Sequence, residues 1–190
     1  MTEFPIHTPE TAPAESKQTL EDYKGKYGLD LNIFGSMANA PALLNAYPVI
    51  QDLFDQTSLS AIEQQLVLLA TSTVNECLFC VPAHSTNLRQ GVKADDDIIN
   101  AAREGRTLPD PKLDALVNFT RSLVKNHSKA DPAITQAFFD AGYTQQQALE
   151  VVLGIASKTM TNYTSSIAGT PIQPEFEGEA WSPSQLQNAA

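Results

Sequence analysis

No stretch of this chain alternates apolar and polar residues with period two, whereas apolar residues recur at helical spacing in one segment after another. That excludes a sheet-based core and predicts an all-α protein. Ser60-Ala-Ile-Glu63 has the form of a capping box, in which each side chain satisfies a free backbone N–H at a helix start. It opens the most apolar run, Leu66 to Ala70, so this helix is expected to cross the core. Leu43, Tyr47, Ile50 and Phe54 share one face of a helical segment spanning 32–56, with a kink or a division expected at Pro48. Leu113, Leu116, Val117, Thr120, Leu123 and Val124 repeat in the same way after the Pro109/Pro111 turn. Ile134, Ala137, Phe138 and Ala141 follow Asp131-Pro132, and Thr144 opens a long helix carrying Ala148, Val151, Val152, Ile155 and Thr159. Gly28, Gly105 and Gly142 stand where helices are expected to stop.

The segments 64–74 (QQLVLLATSTV) and 148–159 (ALEVVLGIASKT) are alike in composition, which would fit two diverged helical repeats. Residues 1–15, rich in Pro, Thr and Glu, read as a disordered arm, 16–170 as one helical domain, and 171–190 as an extended tail that Trp181 can anchor. A length of 190 residues suffices for a sizeable core. The net charge of −10 excludes nucleic acid and anionic membrane as partners, since both demand clustered Lys and Arg. No apolar run reaches the roughly 18 residues of a membrane helix. With no basic or apolar leader pattern at the start, a cytoplasmic location is expected.

The chain has two cysteines, Cys77 and Cys80, three positions apart. In a reducing compartment such a pair is redox-active or metal-binding, unless it is two unrelated buried thiols. On a continuous helix Cys77, Cys80 and His84 fall within an arc of about 60°, with Leu88 on the same stripe. An imidazole four residues on is within reach of the Cys80 thiol, and a base or a helix N-terminus favours the reactive thiolate. Asn75 is a candidate N-cap that places Cys77 in the first turn. Inside such a helix Pro82 costs about 3 kcal/mol, so the regular helix either starts at Val81 or Pro82, with Cys80 at the cap, or is kinked. As zinc ligands, Cys77, Cys80 and His84 lack a fourth partner, which His127 or His7 would have to supply. No metal and no cofactor are expected.

The stretch TVNECLFCVPAHSTNLRQGV, behind LSAIEQQLVLLA, resembles the alkylhydroperoxidase AhpD-like branch of the carboxymuconolactone decarboxylase family. The residues carrying the resemblance are Cys77, Cys80 and His84 in the pattern Cys-x-x-Cys-x-x-x-His, and the likeness runs from about Phe34 to Pro171. It implies an AhpD-like helical bundle of about six to eight helices that assembles as a homo-oligomer, a trimer or a hexamer. It also implies thiol peroxidase chemistry in antioxidant defence. Cys80 would attack the hydroperoxide, Cys77 would resolve the sulfenic acid to a disulfide, and His84 would relay protons. A dithiol reductant or a lipoyl-type adaptor protein would then reduce the bridge.

Gln65 departs from the family pattern, which commonly has a glutamate there, twelve residues before the first cysteine. An amide cannot accept a proton at neutral pH. Glu63 lies about 160° away on its helix, and Glu76, beside Cys77, is a substitute whose charge would oppose a thiolate. Gln65 and Glu76 are thus the candidate relay positions. A lactone decarboxylase, the family's other activity, and a non-enzymatic metal-binding or assembly module are the alternatives.

Overall fold

The computed structural model describes residues 3–186. Among them there is no strand, and nine α-helices form the body: α1 (Ala14–Tyr27), α2 (Asn32–Met37), α3 (Pro41–Asp55), α4 (Ala61–Val74), α5 (Cys80–Thr86), α6 (Asp96–Glu104), α7 (Pro111–Lys125), α8 (Pro132–Asp140) and α9 (Gln145–Ala168). A single π-helical turn, Asn87–Val92, extends α5, and short 3₁₀ turns occupy Pro174–Glu179 and Pro183–Gln185.

The axis of the fold is α4. Residues 66–73 are all buried, which is why its sequence is apolar or small around its whole circumference. Its start is fixed as expected: the Ser60 hydroxyl accepts from the Glu63 N–H while the Glu63 carboxylate takes the Ser60 N–H. Around it pack α7, α9, α5, α6 and α3. The two compositionally similar segments, in α4 and α9, lie against each other. They meet at Gly154, where a Cβ would approach Phe54 of α3 and Val67 of α4 to within 2.8 Å, so three helices close onto one another only because that position is glycine.

The division expected at Pro48 falls elsewhere. The chain breaks at Ala38–Ala40, ahead of Pro41, and Pro48 sits within α3. Proline at the first position of α3 starts that helix without loss of a hydrogen bond, so the break needs no proline inside it. Gly28, Gly105 and Gly169 close their helices in the left-handed conformation.

The described parts of both terminal segments, residues 3–15 and 171–186, lie on the body. His7 donates its N–H to the Gly35 carbonyl at 3.1 Å, and Ala12 is buried. At the other end Trp181 is buried and donates its indole N–H to the Arg103 carbonyl, while Glu179 bridges Arg89 and Arg103. These contacts hold Pro174–Glu179 across the N-terminal end of α5. No helix among the described residues is long and apolar enough to cross a membrane.

Candidate active site

The link from α4 to α5 decides the placement of the two cysteines. Asn75 ends α4 instead of capping the next helix, and Glu76 follows with a left-handed backbone, φ +52°. This tight reversal lets the Ser72 carbonyl take the Cys77 N–H at 3.0 Å. Cys77 then opens the next turn: its carbonyl accepts the Val81 N–H, and its Sγ accepts the Cys80 N–H at 3.1 Å. In hydrogen-bonding terms Cys77 caps α5, with sulfur in the role usually taken by a Ser or Asp oxygen. Pro82 falls in the first turn, where its missing N–H is no loss. The continuous helix from 75 to 88 is therefore absent.

The electrostatics follow from that arrangement. Both thiols are free and buried. Hydrogen bonding from the Cys80 side chain, then from its backbone N–H, draws the Cys77 thiol down to about 6 against the opposing effect of burial, with Ser165 and the charge of Lys158 adding to it. Burial and the donated Cys77 contact push the Cys80 thiol up. Of the two placements that the sequence left open, Cys77 is the sulfur that receives the hydrogen bond at the helix start. The pair shares one proton between two sulfurs and titrates as a unit.

Cys80 faces a cavity of about 350 Å3, to whose lining Cys77 does not contribute. His84 and Lys158 share that cavity, together with an aromatic wall of Tyr27, Phe34, Tyr47, Phe79 and Phe176. Phe176 comes from the C-terminal segment and meets Phe79 edge to face, with ring centroids 5.8 Å apart. The π-helical turn brings Asn87, Gln90 and Gly91 to the rim.

Gln65 and His84 do meet. The imidazole Nδ1 lies 3.0 Å from Gln65 Oε1, and its Nε2 lies 2.7 Å from the Nζ of Lys158. An ammonium has only donors to offer and this carbonyl oxygen only lone pairs, so Nε2 accepts and Nδ1–H donates. The ring is neutral in that arrangement. Burial, with Lys158 alongside, holds its pKa well below the usual imidazole range. Glu76 stays exposed on the turn, away from the cavity lining. Glu63 is committed to Ser60, Tyr143 and Lys112. His127 is exposed beyond the end of α7, and His7 lies on Gly35; among the described residues no three His, Cys, Asp or Glu side chains are grouped to hold a metal.

Lys158, which sequence reasoning missed, had one visible signal. It is the sole charged residue between Glu150 and Glu175, inside an otherwise apolar and small-residue helix. Asn162, one turn further along α9, donates to the Ser72 hydroxyl and accepts from Asn75, tying α9 to the turn that carries Cys77.

Residues 41–121, which include both cysteines, Gln65 and His84, match the model of the carboxymuconolactone decarboxylase family. The likeness to that family is carried by this segment of the chain. No curated protein matches the chain. Among solved structures, the chain is similar to an alkylhydroperoxidase AhpD core, an uncharacterized peroxidase-related protein from Ralstonia eutropha JMP134. That likeness has 23% identity, 92% of this chain and 93% of the other covered, and a TM-score of 0.80. A peroxidase-related protein from Silicibacter sp. TM1040 matches with 20% identity, 93% of each chain covered and a TM-score of 0.77. The debrominase Bmp8, as a cysteine-to-alanine variant in complex with 2,3,4-tribromopyrrole, matches with 16% identity, 94% and 95% coverage and a TM-score of 0.77. The fold of this chain is accordingly the AhpD-like all-helical one.

Proposed function

We propose that this protein is a thiol-dependent hydroperoxidase and dithiol–disulfide oxidoreductase working through Cys77 and Cys80. The observation that carries the proposal is the Cys80 N–H donated to Cys77 Sγ at 3.1 Å, a contact that favours a thiolate in the pair, whose second sulfur faces a cavity. The proton shared between the sulfurs passes to Cys77, and the Cys80 thiolate attacks the distal oxygen of R–OOH. The O–O bond breaks, Cys80 becomes a sulfenic acid, and the alkoxide leaves as ROH after taking the proton from Cys77. Cys77, now a thiolate, then attacks the Cys80 sulfur, forming the disulfide and expelling hydroxide, which takes a proton from solvent and leaves as water. A dithiol reductant, or a lipoyl group on an adaptor protein, returns both sulfurs to thiols by exchange and is itself oxidised to a disulfide.

Antioxidant defence in the cytoplasm is the setting that fits such a dithiol, which needs a reducing compartment between turnovers. A homo-oligomer, trimer or hexamer, is supported by the outward face of α9, where Leu149, Val152, Tyr163 and Ile167 are exposed, as are Val49 and Leu53 of α3.

The test is hydroperoxide consumption with a dithiol as reductant. Wild type should turn over, Cys80→Ser should lose all turnover, and Cys77→Ser should stop after one equivalent. Equal rates in all three would remove the proposal.

The aromatic wall favours one second reading. Phe34, Phe79 and Phe176 line the cavity with apolar faces that suit a flat halogenated ring, and reduction of its carbon–bromine bond by the same dithiol would give C–H, bromide, a proton and the disulfide. Bromide release from a brominated pyrrole, without peroxide turnover, would select it.

A further inference from the structure

Lys158 is 3% exposed, and among the described residues no carboxylate lies within ion-pairing distance of it. Its one hydrogen-bond partner is the neutral imidazole of His84. A buried ammonium without a counter-ion is costly, so a chain that keeps one supplies an anion nearby. Three elements, α1, α3 and α5, place titratable groups around Lys158 in this cavity. From α1 and α3 come Tyr27 and Tyr47, whose phenols burial pushes up, so neither is an anion at neutral pH. α4 brings only the amide of Gln65, and α5 brings His84 and Cys80, with Cys77 directly behind Cys80. On α9 itself the neighbours are Thr161, Asn162 and Ser165, none of which carries a charge.

We infer that Lys158 supplies the positive charge that holds the Cys77–Cys80 pair as a monoanion, and that His84 is the fixed acceptor that aims the ammonium into the cavity. Lys158 is on this account a positioning residue acting on the sulfurs through its charge. The inference rests on the dithiol reading above and adds to it the origin of the thiolate. It also gives Gln65 a purpose. A carboxylate there would stabilise an imidazolium, turning Nε2 from acceptor to donor and breaking the contact with Lys158. An amide keeps the ring neutral and the ammonium in place. The direction of the effect agrees with the thiols, since the charge of Lys158 lowers both of them.

The experiment is a pH titration of thiolate absorbance on the reduced full-length protein, paired with alkylation by iodoacetamide. In Lys158→Met the thiolate midpoint should rise by about 1 to 2 pH units. Its alkylation at neutral pH should slow at least about tenfold, while the plateau rate in alkali is kept. Lys158→Arg should stay near wild type. His84→Gln, whose amide oxygen can still accept from Lys158, should also stay near it. A Lys158→Met midpoint equal to wild type overturns the inference, as does a His84→Gln midpoint displaced as far as that of Lys158→Met, which would make the imidazole the activating group. Lys158→Gln, neutral but polar, answers the same question should the methionine variant fail to fold. Because no oxidant is present, this outcome is separate from that of the peroxide assay.

Discussion

The two faces of α9 reverse the usual order of a surface helix. Inward it presents Gly154, Ser157, Lys158, Thr161, Asn162 and Ser165, all buried. Outward it presents Leu149, Val152, Tyr163 and Ile167, between 49% and 73% exposed. Polar side chains are costly to bury unless paired. Here Ser157 donates to Gln51, Asn162 to Ser72, and Lys158 meets His84, so the inner face is a wired site and not a defect. An apolar outer stripe gains nothing in water and implies a second surface over it. On the proposed function one helix serves the dithiol on one side and assembly on the other, and substitutions should separate the two roles.

The largest effect is expected where the inner face is tightest. Gly154→Val drives a branched side chain into Phe54 and Val67 and should cost about 3 kcal/mol, read from urea unfolding. Asn162→Leu strands the Ser72 and Asn75 partners and should cost about 2 kcal/mol while moving the reactivity of both thiols.

A smaller, pH-dependent effect belongs to Cys77. Its thiol lies near 6 when folded and near its ordinary value of 9.0 when unfolded, so the unfolded chain binds the extra proton between them. The stability it contributes is full above the unfolded value and is lost as pH falls toward 6. Reduced wild type should therefore gain on Cys77→Ala by up to about 1 kcal/mol per pH unit across that window, with no gain in the oxidised protein.

The outer face should move least. Tyr163→Gln with Ile167→Gln should change subunit stability by about 0.5 kcal/mol or less yet dissociate the assembly in sedimentation, with thiol titration unchanged. A double variant that kept its assembly state would dissolve the contrast between the faces.

Local chemistry made much of this legible in the sequence. The capping box at Ser60, the glycine stops and the apolar circumference of α4 are short-range signals, and each reads true. The spacing of Cys77, Cys80 and His84 brought the right residues into view, but helical arithmetic misjudged their geometry, because the left-handed turn at Glu76 is a property of the path between α4 and α5. The roles of the sulfurs were illegible for the same reason: which of them caps α5 depends on where that helix begins. Apolar periodicity in α9 pointed to Val151 correctly and to Val152 wrongly, since the burial of Lys158 and Asn162 is dictated by the site they complete. Gln65 read as a missing base, and only its partner's second nitrogen, held by a lysine 93 positions away, gives it another meaning.

The segment Pro174–Glu179 supplies Phe176 to the cavity without belonging to the helical bundle, and it is fastened by Glu179 and Trp181 at its far end. One part of the cavity wall is thereby encoded about a hundred positions away from the cysteines. Substitution at Phe176 can reshape that wall without touching the turn that carries Cys77 or the packing that supports it.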